Sequence, residues 1–302
     1  MQSLELIFQL IFCLAFGFFA AKLIPKSIQS VCFKILPYFS YILLIGIAME
    51  FQQTLQTIQN PSSILSTSLL VALSTTLGAF FVCYIIFKKL GFTISSGKVS
   101  KALFVRSLVN ISYAFLALAL GYFSAEALNY AQIEYHPNNW YLLLIFMLLI
   151  GLDLAHSPLD RAWLNWKILM VPLSCIVGSL LGVCFIFIFL EHINFIDLIL
   201  LSQGYGFYSM SSIVISELKN PYLGSVALFN DLFREIFAIL LMYSIGWRYP
   251  RSAISAAGAT SMDVTLPMIK QSCGNDFIPH AMLSGFILSI LAPLAVSFIA
   301  ML

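Results

Sequence analysis

Charged residues are scarce in this chain. Only 9% of its 302 residues are Asp, Glu, Lys or Arg, whereas ordinary soluble domains carry about 25%. Hydrophobic residues make up 61%. A soluble fold of this length would lack the polar side chains needed to cover its core, so the surplus of Leu, Ile and Phe must face lipid. The composition therefore excludes a soluble globular domain and predicts an all-α polytopic membrane protein.

Motifs for metal binding, redox chemistry and intramembrane catalysis are also missing. The six cysteines form no CxxC pair and no metal-ligand spacing, and most lie in or beside apolar stretches, where small packing residues are expected. The YD and GxGD motifs of aspartyl proteases, the GxSG motif of serine proteases and the DDxxD motif of prenyl transferases are all absent. The dispersed basic residues give no sign of a nucleic-acid surface. We expect no enzyme activity, no metal and no cofactor.

Long apolar stretches are what the chain has instead. A helix needs about 20 predominantly apolar residues to cross a bilayer. Eight stretches fit this length, at residues 4–24, 33–49, 63–87, 103–123, 140–155, 168–190, 222–247 and 278–301. The first has no basic lead and no small-residue cleavage site, so we expect a transmembrane helix there and not a signal peptide.

Two further apolar segments, 196–215 and 251–270, are interrupted by the polar and glycine-containing runs GYGFYSMSS (204–212) and GATSMD (258–263). If both crossed fully, the chain would have ten spans, and Arg248 and Arg251 would lie outside. If each enters and returns on its own side, both arginines are cytoplasmic. The second arrangement agrees better with the rule that cytoplasmic loops collect Lys and Arg. We therefore predict eight spans and two re-entrant segments, with ten spans as the alternative.

Loop charges predict the orientation. Basic residues fill alternate connections, represented by Lys22, Lys34, Lys88, Lys89, Lys101, Arg106 and Lys167. The other connections hold Glu50, Glu126 and Asp197 and contain no Lys or Arg. This alternation places the N-terminus outside, and with eight spans the C-terminus is outside as well. We expect a single domain over 1–302, with six spans in residues 1–192 and the interrupted segments in 193–302.

Two internal similarities predict an inverted repeat. LLIGIAM (43–49) resembles LLIGLDL (148–154), and these runs lie in the second and fifth spans, which point in opposite directions. GFYSMS (206–211) resembles GATSMD (258–263), and each run precedes an uninterrupted span. Inverted repeats with discontinuous helices are typical of secondary transporters.

The interrupted segments are the predicted centre of the chemistry. Non-helical backbone at membrane depth is tolerated only within protein or along a water-filled cavity. We therefore expect two unwound tips that meet near the midplane and bind polar groups of a ligand. The backbone candidates are Gly204, Gly206 and Gly258, and the side-chain candidates are Ser209, Ser211, Thr260 and Ser261. The alternative is that these small residues only allow close helix packing.

Ionisable residues beside the tips strengthen the prediction of a binding site. Asp231, Arg234 and Glu235 share one face of the span 222–247, and Asp263 lies in the second interrupted segment. A charge at the bilayer centre costs at least about 2.5–3.5 kcal/mol. Arg234 can neutralise one carboxylate, and we expect it to pair with Asp231 or Glu235. The surplus carboxylates, Glu235 and Asp263, suit a cationic substrate or an exchangeable proton.

Weaker candidates lie nearby. Asn230 and Asn110 are polar residues within spans, and such residues more often form hydrogen bonds between helices than bind ligands. Asp153 and His156 fall at the end of the fifth span, where we expect them at the membrane interface.

The C-terminal third resembles the bacterial lysine exporter family of LysO type. The match covers about a third of the chain and is carried by GYGFYSMSSIVISE (204–217), GSVALFNDLFREIFAILL (224–241), GATSMDVTLP (258–267) and HAMLSGFILSILAPL (280–294). The first 200 residues match mainly in hydropathy and in LLIGIAM. The resemblance implies an inner-membrane exporter of L-lysine and its toxic analogue thialysine, with eight spans and both termini outside. It also implies that the family's intramembrane acidic pair falls on Glu235 and Asp263.

The resemblance and the residues together predict proton- or cation-coupled antiport. In this hypothesis, Glu235 and Asp263 bind the ammonium groups of lysine, backbone amides at the tips take its carboxylate, and external protons release it. A different secondary carrier, such as a sodium/proton antiporter or an organic-anion symporter of similar design, is the alternative. The surplus of acidic groups argues against an anion.

Overall fold

The computed structural model describes residues 2–57, 62–91, 95, 97, 101–133, 135, 138–157, 165–190 and 193–302, and the regular structure in these ranges is helical throughout. The α-helices are α1 (Gln2–Ala20), α2 (Lys26–Thr57), α3 (Ser62–Leu90), α4 (Lys101–Tyr130), α5 (Asn139–His156), α6 (Trp166–Ile186), α7 (Phe195–Ser202), α8 (Tyr208–Leu218), α9 (Pro221–Ile245), α10 (Pro250–Ala257), α11 (Leu266–Ser272) and α12 (Ile278–Ala300).

The membrane class predicted from the composition is confirmed. Within the described ranges, α2 to α6 and α12 are long and apolar enough to cross a bilayer. Large apolar side chains on their outer surfaces, such as Phe81, Leu120 and Phe185, are exposed, as lipid-facing residues should be. The chain is an all-helical, multi-pass membrane protein.

Helix α2 is much longer than its apolar stretch. The predicted span 33–49 is only the middle of a helix that runs from Lys26 to Thr57. Its ends contain Lys, Gln and Glu, which are good helix formers, so the helix continues into polar surroundings where hydropathy gives no signal. Pro37 lies inside this helix.

The first six helices pack as three pairs: α1 with α5, α2 with α4, and α3 with α6. In the α3–α6 pair, Gly78 and Gly178 lie at the contact, and a Cβ atom on Gly78 would overlap the carbonyl oxygen of Gly178. Small residues let helix backbones approach in this way inside membranes. This six-helix group forms one wall of the central cavity described below.

Helices α7 and α8 form a hairpin whose two ends lie together. The start of α7, at Asn194 to Asp197, lines the same surface cavity as Lys219 and Asn220 at the end of α8 and as the C-terminal residue Leu302. The turn between the helices, 203–207, reaches the middle of α9, where the Asn230 side chain donates a hydrogen bond of 3.0 Å to the Leu201 carbonyl oxygen. Both ends of this hairpin are therefore at one end of the bundle.

The segment from α10 to α11 has its ends at the opposite end of the bundle. Helix α9 separates the two segments and is 25 residues long, which is about 37 Å. The backbone N–H of Ser95 donates to Trp247, just before α10, and the Ser95 hydroxyl donates to the carbonyl oxygen of Cys273, just after α11. A 3₁₀ helix, Gly258–Met262, lies between α10 and α11.

The predicted meeting of the two interrupted segments is confirmed. The backbone N–H of Ala259 donates to the carbonyl oxygen of Tyr205 over 2.9 Å. Gly258 has φ of +66°, a conformation that suits glycine, and a Cβ atom there would overlap the same Tyr205 oxygen. The two breaks thus cross in direct contact, surrounded by α9 and α12.

Candidate functional site

A cavity of about 500 Å³ lies beside the crossed segments, within the usual range of about 300–1,000 Å³ for ligand pockets. Helices α2 and α4 contribute residues from their first halves, such as Tyr41 and Asn110, and α5 contributes residues from its second half. These halves are at the end of the bundle that holds Lys34 and Arg106. The interrupted segments contribute 206–209 and 259–264, which form the deep end of the cavity.

Three carboxylates line this cavity: Asp153 from α5, Glu235 from α9 and Asp263 from the second interrupted segment. No Lys or Arg of the described chain is part of the lining. Glu235 is only 3% exposed, Asp153 is half-buried, and Asp263 is exposed to the cavity. The electrostatic surroundings favour a cation.

The three carboxylates have no polar partners among the residues that the structure describes. In the described part of the chain, none of them accepts a hydrogen bond or forms an ion pair, and Asp263 lies close enough to both Glu235 and Asp153 for like-charge repulsion. A buried charge without a partner is costly, since desolvation is not offset. Positive charge or protons in the cavity would offset this cost.

The start of α8 offers a complementary feature. Tyr208 and Ser209 line the cavity at the first turn of this helix, and their backbone N–H groups donate to no acceptor in the described chain. Free N–H groups and the positive end of the helix dipole favour an anion. The lining thus combines free backbone N–H groups with carboxylates.

Asp231 stabilises the first break from behind. Its carboxylate accepts hydrogen bonds from the Ser211 hydroxyl (2.5 Å), the Gly206 backbone N–H (3.1 Å) and the Asn230 amide (3.2 Å). Gly204 packs directly on this carboxylate, and a Cβ atom there would overlap it. Asp231 is fully buried and is absent from the cavity lining, so its role is to hold the turn 203–207 in place.

The expected ion pair of Arg234 is not formed. Its guanidinium donates instead to the Ser179 hydroxyl and the Cys175 sulfur of α6, both over 3.0 Å, and lies 5.9 Å from the centre of the Tyr205 ring. The i+3 spacing placed Arg234 and Asp231 on one face of α9, but each finds partners on a different neighbouring element. Arg234 is 1% exposed and anchors α9 to α6.

The predicted site residues divide into two groups. Those that line the cavity are Gly206, Ser209, Glu235, Thr260 and Asp263. Those that lie behind it and shape the breaks are Gly204, Ser211, Asn230, Asp231, Arg234, Gly258 and Ser261. Ser261, for example, donates to the carbonyl oxygens of Gly258 and Ala281.

The structure gives the two weaker candidates a common setting. Asp153, which we expected at the membrane interface, is one of the residues that line the cavity. Asn110 forms no hydrogen bond between helices in the described structure and also lines the cavity. In the sequence, LLIGLDL (148–154) places Asp153 within one of the two similar runs of the predicted inverted repeat, and nothing in that pattern pointed to a cavity.

Polar side chains join the helices at the other end of the bundle. The Glu50 carboxylate of α2 accepts hydrogen bonds from the Asn139 amide of α5 (2.9 Å) and from the Ser216 hydroxyl of α8. Above it, Gln52 donates to Glu126 of α4 over 2.6 Å. These polar contacts tie the hairpin α7–α8 to the six-helix group at the end of the bundle opposite Lys34 and Arg106.

Comparisons with known proteins agree with the site. The family model described as "Lysine exporter LysO" matches residues 113–300, well over half of the chain. The protein "Lysine exporter LysO" of Escherichia coli K12 is 36% identical over 160 residues, which are 52% of this chain and 53% of that protein. A "Putative lysine exporter" of Haemophilus influenzae is 31% identical over 190 residues, covering 62% and 95% of the two chains.

The match spans about half the length of the E. coli relative. No solved structure matches the chain. The region matched by the family model contains both interrupted segments, α9 and all three cavity carboxylates. The chain belongs to the lysine exporter LysO family.

Proposed function

We propose that this protein is a secondary transporter of the bacterial inner membrane that exports L-lysine, and its analogue thialysine, from the cytoplasm. The observation that carries the proposal is the cavity that both Glu235 and Asp263 line: neither carboxylate accepts a hydrogen bond from the described residues, and the described lining contains no Lys or Arg. Family membership and the printed names of the two relatives support lysine as the cargo.

The substrate binds with its charges matched to the two sides of the deep end. Its carboxylate accepts hydrogen bonds from the free backbone N–H groups of Tyr208 and Ser209 at the start of α8. Its α-ammonium group, one carbon away from that carboxylate, lies between Glu235 and Asp263. Ser209 and Thr260 add hydroxyl groups to the same part of the cavity.

The transport cycle follows from an inverted-repeat architecture with eight crossings, two re-entrant hairpins and both termini outside. The helix pairing supports this proposal, because α1 packs on α5 just as α4 packs on α2, and α3 packs on its counterpart α6. The two hairpin-like segments have their ends at opposite ends of the bundle and meet at Tyr205 and Ala259. Rocking of the two repeats would expose the cavity alternately to each side.

Proton antiport couples export to the membrane potential and pH gradient. A carboxylate that is paired with an ammonium group in one state can be protonated in the other, so that proton binding and lysine binding exclude each other at Glu235 and Asp263. External protons would then release lysine on the outside, and loss of those protons to the cytoplasm would reset the site.

Uptake of labelled lysine into everted inner-membrane vesicles tests the function, since uptake in that orientation corresponds to export. We expect uptake that an uncoupler abolishes. E235Q and D263N should lose it while reaching wild-type levels in the membrane. D276N is the matched control, because Asp276 is exposed and outside the cavity.

Each result has a distinct meaning. Normal lysine uptake by both E235Q and D263N would contradict the proposed site. If lysine uptake depended on sodium and did not respond to the uncoupler, the coupling ion would be sodium and not the proton. Transport of sodium or citrate in the absence of lysine transport would favour a different secondary carrier. Cells that lack their own exporter should gain resistance to thialysine from the wild-type chain and not from E235Q.

A further inference from the structure

A third carboxylate, Asp153, lies in the cavity and has no role in the binding of an amino-acid head group. It belongs to the last turns of α5, three residues before the helix ends at His156. In the described chain its side chain accepts no hydrogen bond and forms no ion pair. It lines the same cavity as Glu235 and Asp263 and lies close enough to Asp263 for their charges to interact.

The position of Asp153 is unfavourable for an anion in the absence of a ligand. The C-terminal end of a helix carries partial negative charge, and an acidic side chain in the last turn is repelled by it. The second carboxylate, Asp263, adds to the repulsion. Among the described residues, the titratable neighbour of opposite tendency is His156, which is exposed and whose Nδ1 lies 3.0 Å from the Leu152 carbonyl oxygen. The described part of the chain therefore offers no buried cation to compensate the Asp153 charge.

The depth of the three carboxylates differs. Glu235 is almost fully buried, beside the free amides of α8. Asp153 is half-buried and lies among the residues of α5 that are nearer the end with Lys34 and Arg106. Asp263 interacts with both. The negative charge is thus spread between the part of the cavity lined by the interrupted segments and the end of α5, and the buried Glu235, which has no hydrogen-bond partner among the described residues, points to a ligand at the deep end.

We propose that Asp153 binds the second, side-chain ammonium group of a dibasic amino acid and makes the cavity selective for two amino groups over one. This inference rests on the proposed function. The carboxylate and α-ammonium of an amino acid are separated by a single carbon, so both are held at the deep end by the α8 amides, Glu235 and Asp263. The side chain, with four methylene groups in lysine, then points toward the opening and brings its terminal ammonium group to Asp153.

The selectivity follows from the difference between the deep end of the cavity, which binds the amino-acid head group, and Asp153, which binds the side-chain ammonium group. A neutral amino acid fills the deep end equally well but leaves Asp153 without a partner in a cavity that has lost water. A charge-assisted hydrogen bond lost from a desolvated site weakens binding by about tenfold or more. The same argument includes lysine, ornithine and thialysine in the substrate class, because each presents a second ammonium group on a flexible chain.

Competition against labelled lysine in everted vesicles tests this role with three competitors: lysine, Nα-acetyl-lysine and Nε-acetyl-lysine. In D153N, the half-inhibitory concentrations of lysine and Nα-acetyl-lysine should rise about tenfold, while that of Nε-acetyl-lysine, which lacks the second charge, stays unchanged. D153E should recover most of the preference for lysine. D276N should behave as wild type.

The readout separates this inference from the proposed function. Equal weakening of all three competitors, or no weakening of lysine, would overturn the role of Asp153 while lysine export stands. Absence of lysine uptake by the wild-type chain would overturn both. D153S serves as a second neutral variant. If D153N reaches the membrane at a low level, the result can then be decided with D153S.

Discussion

The backbone N–H of Ala259 donates a hydrogen bond of 2.9 Å to the carbonyl oxygen of Tyr205, and this bond joins the two interrupted segments of the chain. Both residues lie where the regular helix is broken. The second segment supplies the donor, the Ala259 N–H, and the first segment supplies the acceptor, the Tyr205 carbonyl oxygen. Tyr205 has φ of +50°, an uncommon value for a residue with a side chain, and its ring packs near Arg234. The functional cavity starts directly beside this contact.

Gly204 is predicted to be indispensable for the first break. A Cβ atom at this position would overlap the Asp231 carboxylate, so G204A must displace the group that holds the turn. Overpacking of this kind costs about 1–3 kcal/mol. We expect lower thermal stability of the purified protein and loss of lysine uptake.

Gly91 provides the control for that substitution. It has φ of +94° but nothing near its missing Cβ, so G91A introduces backbone strain without a clash. It should retain uptake. Wild-type stability of G204A would show that the turn can shift without cost.

Asp231 is predicted to act in the fold and not as a substrate ligand. D231A leaves three donors in a buried region without their acceptor, each at a cost of about 1–3 kcal/mol. D231N keeps one acceptor oxygen, and its amide can donate to Ser211. Stability should fall in the order wild type, D231N, D231A, as measured by thermal unfolding in detergent.

The lysine affinity of D231N separates the two roles. Since Asp231 does not line the cavity, the half-saturating lysine concentration of D231N should stay within about threefold of wild type. A large loss of affinity without loss of stability would instead place Asp231 at the substrate.

Two cysteines on α6 give a matched test of the Arg234 anchor. Cys175 is buried and accepts a hydrogen bond from the guanidinium, whereas Cys184 is exposed two turns further along the helix. C175A removes an acceptor from a buried charged donor and should cost about 1–3 kcal/mol. C184A should stay within about 0.5 kcal/mol of wild type. Equal stability of both variants would show that Ser179 alone suffices.

Glu50 is predicted to keep the outer end closed. E50A removes the acceptor shared by Asn139 and Ser216, so the link between α2, α5 and α8 weakens. A cysteine in place of Ser212, beside Glu50, should react with an impermeant thiol reagent from outside about tenfold faster in E50A, since each lost bond contributes about 1 kcal/mol.

The labelling is done in a cysteine-free background. E217Q is the control, because Glu217 is exposed at the same end. Unchanged reactivity of the Ser212 position in E50A would show that apolar packing, such as the contact between Phe51 and Phe229, is sufficient for closure.

The number of crossings is testable by labelling at two positions. In the eight-crossing arrangement, a cysteine replacing Arg248 reacts only from the cytoplasmic side and one replacing Lys219 reacts only from outside. Ten crossings would reverse both results. The coordinates favour the first outcome, since the two ends of the α7–α8 hairpin share one surface cavity.

The sequence alone determined the membrane class, the positions of the two breaks and the candidates Glu235 and Asp263. These properties depend on composition, on the length of apolar runs and on the local cost of a charge or a glycine, and all of them can be read within a short window. The polar and glycine-containing interruptions also predicted that the two breaks would meet, because unpaired backbone groups at membrane depth need a hydrogen-bond partner.

Only the tertiary structure decided which polar side chains face the cavity. Asp231 and Arg234 share a helical face with Glu235, yet Asp231 turns to the first break, and Arg234 finds acceptors on α6 that are 55 and 59 residues away in sequence. Asp153 looked like an interfacial residue, and the structure places it in the lining of the same cavity as Asp263. The physical reason is that sequence periodicity determines which residues share one face of a helix, whereas the packing of helices that are distant in sequence determines which residues that face contacts.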